Sequence, residues 1–386
     1  MSDHVSFPIL HFTDPPRSRL VIYDEAGSDR LLATALKGLD HAILPARREA
    51  FYLSPGILYR MLRNFRLVDE WRLGRLFYLY LYSCLEAMEP AVVITFMDND
   101  PFFHQLSRRY KDAVFLAVQN GVKGPGSMAS PSRHPLGMLP EPPAWGSLIS
   151  VPELFCWGEY EIEIHRRYGH RVDRFHPVGS LIGDYYKSEV SPGTPAVERD
   201  LLLVSQWRAS VMNSGEFPYF RRGEKTLHEF LAHYVVARGP RFAVASCSDD
   251  PRERAYFQGV FGPSVEVIPF DREGLSTYKA MDRSEVCVSA SSAAAYEAAG
   301  WGRKVFFCNF TGTDSRDCPR KGFWSIEAPD EAEFGRRLDR LLAMPGEEFR
   351  RLAGPDMRYL MNFDPARPAH AAVRERVTSV LAGARA

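Results

Sequence analysis

The stretch EVCVSASSAAAYEAAGWGRKVFFCN, residues 285–309, reads as strand, turn, helix and strand. EVCVSA (285–290) and KVFFCN (304–309) are short apolar runs. The alanine-rich segment between them is long enough for two helical turns. A helix that joins two such strands is a crossover, and a crossover makes them parallel. Their continuous apolarity, without alternation, marks strands buried on both faces. The same pattern recurs along the chain. Earlier runs are RLVIYDE (19–25), HAILPA (41–46), AVVITFM (91–97), AVFLAVQ (113–119) and LFCWG (154–158), and later ones are DLLLVSQ (200–206), RFAVAS (241–246) and VEVIPF (265–270). Strands alternating with helices build parallel sheets.

Between the two groups of strands lies KSEVSPGTPAVERD (187–200), with two prolines, a glycine and no apolar periodicity. It reads as a linker or hinge. The 386 residues exceed one ordinary core. The fold class expected is therefore α/β, with two doubly wound Rossmann-like domains facing a central cleft, over residues 1–190 and 198–386. After the last strand the pattern is helical, from EAEFGRRLDRLLAM through GEEFRRLAG to AAVRERVTSVLAG.

Lysine plus arginine equal aspartate plus glutamate at 48 each, so the basic excess of a nucleic-acid binder is missing and no nucleic-acid partner is expected. LFYLYLYSCLEAM (76–88) is too short for a membrane span and carries Glu86, so a buried helix is expected. The N-terminus MSDHVSFPIL has no signal-peptide pattern, and a cytoplasmic location is the default expectation. No amphipathic anchor is evident. The six cysteines form no CxxC pair, and neither GxxxxGK[ST], GxSxG nor HExxH occurs. The acids have no metal-ligand spacing, so no metal is expected.

Ligands of open α/β sheets bind beyond the carboxyl ends of the strands. After EVCVSA come Ser291 and Ser292, with Ser292 placed to cap the following helix. Its amides and dipole suit a phosphate, and Glu297 one turn in could accept from ribose hydroxyls. From spacing alone an ordinary capped helix is an equal reading. In TFMDNDPFFHQLSRRY (95–110), Asp100 before Pro101 is a helix cap. That leaves Asp98 and Asn99 free at a strand end, where a carboxylate could serve as general base or orient an acceptor, or satisfy loop amides. In AVQNGVKGPGS (117–127), Gln119 and Asn120 offer amides to sugar hydroxyls, Asn120-Gly121 reads as a tight turn, and Gly124 and Gly126 extend the loop. Gln206 and Arg208 follow DLLLVS, and Ser246 follows RFAVA. Asp250 before Pro251 is again a cap, while Lys279 and Asp282 read as surface residues.

The order of these motifs resembles the surface carbohydrate biosynthesis proteins of bacterial polysaccharide loci. The residues that carry the resemblance are VVITFMDND (92–100), FLAVQNGVKG (115–124), FCWGEYEIEIHRRYG (155–169), FHPVGSL (175–181) and STYKAMDRSEVCVSASSAAAYEAAGWGRKVFFCN (276–309). The last, with its serine pair and glutamate, resembles the nucleotide-binding segment of GT-B enzymes. A more distant similarity is to CDP-glycerol glycerophosphotransferases and to capsular Kdo and sialic-acid transferases. It has two departures. Gln119-Asn120-Gly121 stands where the first group has a Gln-His-Gly turn, and the His-Pro pairs, His134-Pro135 and His176-Pro177, fall in the first half.

The resemblance implies a GT-B-like glycosyltransferase of surface polysaccharide (O-antigen, capsule or lipopolysaccharide) biosynthesis. A nucleotide-sugar donor would be held by Gln206, Arg208, Ser246, Ser291, Ser292 and Glu297. A glycan or lipid-linked glycan acceptor would meet Asn99, Gln119, Asn120 and Gly121, with Asp98 as catalytic residue. No cofactor beyond the nucleotide sugar and no metal are implied. The last helices would brace the N-terminal domain. Contact with the inner face of the membrane is compatible with such acceptors. The alternatives are a nucleotide-sugar epimerase of the same fold, a polyol-phosphate transferase and a non-catalytic scaffold.

Overall fold

The computed structural model describes residues 8–47, 49–67, 73–122, 149–209, 212 and 218–383. Gly124, Gly126 and His134-Pro135 lie outside the described residues. The strands, in chain order, are β1 (Ile9–His11), β2 (Leu20–Tyr23), β3 (Ala42–Leu44), β4 (Ala50–Tyr52), β5 (Val92–Thr95), β6 (Val114–Val118), β7 (Ser150–Cys156), β8 (Arg171–Pro177), β9 (Arg199–Val204), β10 (Phe242–Ala245), β11 (Glu266–Ile268), β12 (Ser284–Ser289), β13 (Lys304–Cys308) and β14 (Ser325–Ile326). Each of the ten apolar runs overlaps one of them. The small β1–β4 pair, β14 and the first part of β7 are too short or too polar to carry that signal.

Two six-stranded parallel sheets form the molecule, in the orders β3-β2-β5-β6-β7-β8 and β11-β10-β9-β12-β13-β14. Relative to its own chain, the second runs third, second, first, fourth, fifth, sixth, the doubly wound order of a Rossmann fold. Its direction of winding reverses between β9 and β12, which pair directly, Leu201 with Val286 and Leu203 with Val288. In the first sheet the reversal falls between β2 and β5. Helices cover both faces, so β2 and β5 are buried at every residue. Apolar cores therefore lie on each side of the first sheet, one around Phe103, Phe115 and the Leu73–Met88 helix, the other around Ile22, Ile94 and Leu116.

The final Ala369–Gly383 helix completes the second of those cores with Val373 and Val377, although it follows the second sheet in sequence. Two contacts guide the chain back. The Asn362 amide donates to the Trp157 carbonyl (2.8 Å), and the Asn362 side chain donates to the Pro177 carbonyl (2.7 Å). Gly158 and Gly179 permit the crossing, because a Cβ at either would strike backbone oxygens of residues 359–362. Arg376 then pairs with the buried Glu153 (Nε to Oε2, 2.9 Å).

The 187–200 segment is fastened at its start. Lys187 Nζ and Ser191 Oγ donate to Asp282 (2.9 and 2.8 Å), and Arg303 Nε donates to it as well (3.1 Å). Asp282, expected at the surface, is fully buried. A carboxylate with that many donors can be buried at tolerable cost. Lys279 is exposed. No described helix is long and apolar enough to cross a membrane.

Candidate functional site

The sequence places chemistry at strand ends, and the second sheet gathers such ends around its switch point. A cavity of about 540 Å³ opens there. Ser205, Gln206 and Arg208 line it from the end of β9, Cys247 from β10, and Ser291, Ser292 and Ala293 from β12. Arg316 reaches it from the loop after β13, Tyr219 and Phe220 from the start of the Pro218–Arg238 helix, and Val122 from the first half.

Its floor is a hydrogen-bonded turn. Gln206 Oε1 accepts from the Ser291 amide (2.8 Å), and Ser289 Oγ accepts from the Ser292 amide (3.1 Å). Ser292 occupies the N-cap position of the Ala293–Gly300 helix with extended backbone, yet its side chain makes no capping bond. The expected cap is thus present in position only. The amides of Ala293 and Ala294, the first two of the helix, have no partner among the described residues. Free N-terminal amides with the dipole behind them attract an anion.

Arg316 adds a cation to this cradle. Its guanidinium donates to Ser291 Oγ (3.0 Å) and lies over the Phe220 ring, 4.1 Å from its centroid. Burial lowers its pKa from the ordinary value, against the opposing charge of Glu224, but an arginine stays protonated at neutral pH. Arg208 is exposed at the rim. Beneath the cavity the fully buried Glu253 accepts from Ser205 Oγ (2.6 Å), the Cys247 amide (3.0 Å) and Ser248 (amide 3.0 Å, Oγ 2.7 Å). It fixes the β9 and β10 turns to each other.

Two residues expected here lie elsewhere. Ser246 is buried below the cavity, its amide bonded to the Ile268 carbonyl, and Cys247 lines the space instead. Glu297 does not line it either. Its Oε1 accepts from Ser180 Oγ of the first half, and a Cβ on Gly183 would press on its side chain. Its Oε2 is buried with no hydrogen-bond partner among the described residues. Burial raises the Glu297 pKa, while the Ser180 hydrogen bond opposes the shift. In this arrangement Glu297 is an inter-half contact.

In the first half, Asp100 caps its helix, accepting from the amides of Phe102 (2.8 Å) and Phe103 (3.1 Å) and from Tyr23 Oη (3.0 Å). Asp250 likewise caps the Pro251–Phe261 helix. The Asp98 side chain is buried, and its carbonyl pairs with His104 Nε2 (2.9 Å). Burial lowers the His104 pKa, which suits a neutral, structural ring. Asn99 is half-buried. Gln119 is committed internally: Nε2 donates to Glu161 Oε1 (2.7 Å) and the Gly121 carbonyl (2.9 Å), and Oε1 accepts from the Trp157 amide (2.8 Å). It has no amide hydrogen left for a sugar, contrary to expectation, and instead pins the segment that carries Asn120 to Val122. Asn120 Nδ2 contacts Met97 Sδ (3.3 Å), so Asn120 and the Met97–Asn99 turn are neighbours. Gly121 is neither crowded nor at positive φ.

A second cavity, about 640 Å³, lies between the halves. Arg30, Ile182 and Tyr185 line it from one side and the 270–279 loop from the other. Arg272 and Asp29 pair across it (3.5 Å). Among the described residues no group of three His, Cys, Asp or Glu side chains could hold a metal.

Arg316, which lines the cavity, and Glu253, which ties the turns beneath it, are residues of this candidate site that sequence reasoning passed over. The strand-end rule, extended to the loop after KVFFCN, would have found Arg316.

No protein-family model matches the chain, and no curated protein sequence matches it. Solved structures do. UDP-GlcNAc 2-epimerase from Neisseria meningitidis, bound to UDP-GlcNAc, superposes with a TM-score of 0.51 at 12% identity, covering 94% of this chain and 99% of that one. The wall teichoic acid polymerase TagF gives 0.54 at 10% identity, covering 96% and 90%. UDP-GlcNAc 2-epimerase from Methanocaldococcus jannaschii gives 0.50 at 11%, covering 94% and 98%. These are GT-B proteins, and the chain has the GT-B fold.

Proposed function

We propose that the protein is a metal-independent glycosyltransferase that moves a sugar from a nucleotide donor to a glycan acceptor in bacterial surface polysaccharide assembly. The observation that carries this reading is the anion cradle at the switch point, made of the free Ala293 and Ala294 amides, Ser291, Ser292 and the guanidinium of Arg316. The donor phosphate sits there, with Gln206 shaping the turn and Arg208 at the rim. The acceptor is held by Asn99 and Asn120, the latter in the segment that Gln119 pins and that carries Val122 to the cavity.

Asp98 takes the proton of the acceptor hydroxyl as its oxygen bonds to the anomeric carbon. The bond from that carbon to the phosphate oxygen breaks, and the nucleotide leaves with the electron pair. Its growing charge is met by preorganised amides and arginines, which need no reorientation. Glu297 reaches a ribose only when its Ser180 contact opens, so donor binding is coupled to the separation of the halves. A lipid-linked acceptor would place the reaction in the cytoplasm at the inner face of the membrane.

Some structural neighbours are solved with UDP-GlcNAc or CDPG, so uridine and cytidine donors are screened first. Calorimetry on wild type should give binding to one nucleotide class. The double variant Ser291→Ala/Ser292→Ala and Arg316→Ala should each lose about 10–100-fold, as expected for charge-assisted hydrogen bonds worth about 1.5–3 kcal/mol. A ligand at about 100 times its Kd adds about 2.7 kcal/mol of stability, enough for a thermal-shift readout. Absence of any nucleotide binding would leave a scaffold. Isomerisation of the donor with no acceptor present would make the protein an epimerase.

A further inference from the structure

Most of the exposed large apolar residues among the described ones are concentrated in one place. Of the eleven strongly exposed large hydrophobics among the described residues, seven fall between Ile9 and Leu62. They are contiguous in the fold. β1 pairs with β4, the Leu53 amide donates to the His11 carbonyl (2.7 Å), and the Pro55–Arg63 helix follows at once. Asp14 closes the group by accepting from Ser54 and pairing with Arg60 (3.6 Å).

The helix is amphipathic in an unusual sense. Ile57 is buried and Met61 packs on the core. The opposite face offers Leu58, Tyr59 and Leu62, at 51, 65 and 75% exposure, and Phe12 beside β1 is 72% exposed. A water-facing helix side would carry charged residues at these positions. The charge lies instead at the margin. Residues 47–67 contain five arginines and one glutamate, in a chain whose formal net charge is zero. Arg63 and Arg66 are exposed. Arg63 pairs with Glu86 (2.8 Å), and Arg66 has no ion pair among the described residues. Exposed pairs of this kind exchange readily, and guanidinium favours phosphate oxygens.

We propose that this face seats the protein on an anionic membrane surface, with Leu58, Tyr59, Leu62 and Phe12 in the boundary between headgroups and acyl chains and Arg63 and Arg66 on lipid phosphates. An apolar patch with exposed arginines along one edge is the chemistry of interfacial attachment. A second copy of the chain fits less well, since a two-fold contact would set the arginine-rich segment against itself. The surface lies outside the donor cavity, so this inference stands or falls independently of the proposed reaction.

The test is flotation of the full-length chain with phosphatidylcholine vesicles, with and without phosphatidylglycerol, at low and high salt. Wild type should float with the anionic vesicles and be released by salt. Leu58→Gln/Leu62→Gln and Arg63→Glu/Arg66→Glu should each lose about tenfold in vesicle affinity. Both leave buried residues untouched, and an unchanged melting temperature verifies their fold. Failure to float with anionic vesicles, or undiminished binding by both variants, overturns the proposal. So does a wild-type dimer that Leu58→Gln/Leu62→Gln turns into a monomer, which would make the face an interface between copies.

Discussion

The carboxyl of Glu297 is buried between the halves, where it accepts from Ser180 Oγ, and burial holds its pKa above the ordinary value. Burial pushes the pKa of nearby Asp184 up as well, and the charge of Glu297 adds to that shift. A raised carboxyl pKa means the folded chain keeps a proton that the unfolded chain releases above about pH 4. The stability tied to that proton is full below the unfolded pKa and is lost as pH rises through the folded one, at up to about 1.4 kcal/mol per pH unit. Glu297→Gln should therefore flatten the fall of Tm as pH rises above about 4 and gain on wild type at the alkaline end. Parallel pH profiles of the two proteins would refute this assignment. At this scale the sequence was only partly legible. Ser291 and Ser292 stood out because a strand end and a helix start bracket them. Ser180 for Glu297, Glu161 for Gln119 and Lys187 for Asp282 lie 117, 42 and 95 positions away, and no local pattern reports such contacts.

At the scale of elements, legibility followed length and polarity. Buried parallel strands announce themselves by continuous apolarity, and the Asp-Pro caps at 100–101 and 250–251 by steric logic. β14, with two residues, and β8, whose exposed residues Arg171, Asp173 and Arg174 are charged, carry no such signal. The Pro55–Arg63 helix escaped notice because it is only nine residues long and its apolar residues Leu58, Tyr59 and Leu62 face outward, away from the core that Ile57 joins. Glycines mark where elements touch. Gly179 sits at φ 98° and faces the Asn362 carbonyl, while Gly158 faces residues 359 and 360. A methyl group at either site must displace backbone that crosses between halves. Gly158→Ala and Gly179→Ala should each cost about 1–3 kcal/mol, and Gly179→Ala more, because strain adds to the clash. Chemical denaturation measures this. An alanine at either position with unchanged stability would show that the crossing is loose.

For the whole molecule, the question is what makes two sheets one body. The chain passes from first half to second through the Lys187–Asp282 clamp and returns through residues 359–383, so the closing contact is made by the last helix. Arg376 lies at its centre. Glu153 is buried in β7, and burial would raise its pKa, but hydrogen bonds from Arg376 and His176 outweigh burial and hold it below the ordinary value. A depressed carboxylate contributes stability that is present above the unfolded pKa and lost as pH falls through the folded one. Arg376→Ala strips one partner from a buried charge, a change that costs about 3 kcal/mol near neutral pH. The cost should shrink as acid protonates Glu153, so wild type and variant should converge below about pH 4. Arg376→Lys should recover only part, since one ammonium cannot replace the guanidinium fork. If the last helix braces the first half as this geometry requires, Arg376→Ala will also open the first core to hydrogen exchange, around Ile22 and Leu116 where Val373 and Val377 pack, while β9 and β12 stay protected. Equal loosening of both sheets would mean that the halves unfold as one unit and that the helix is a general fastening with no preference for the first half.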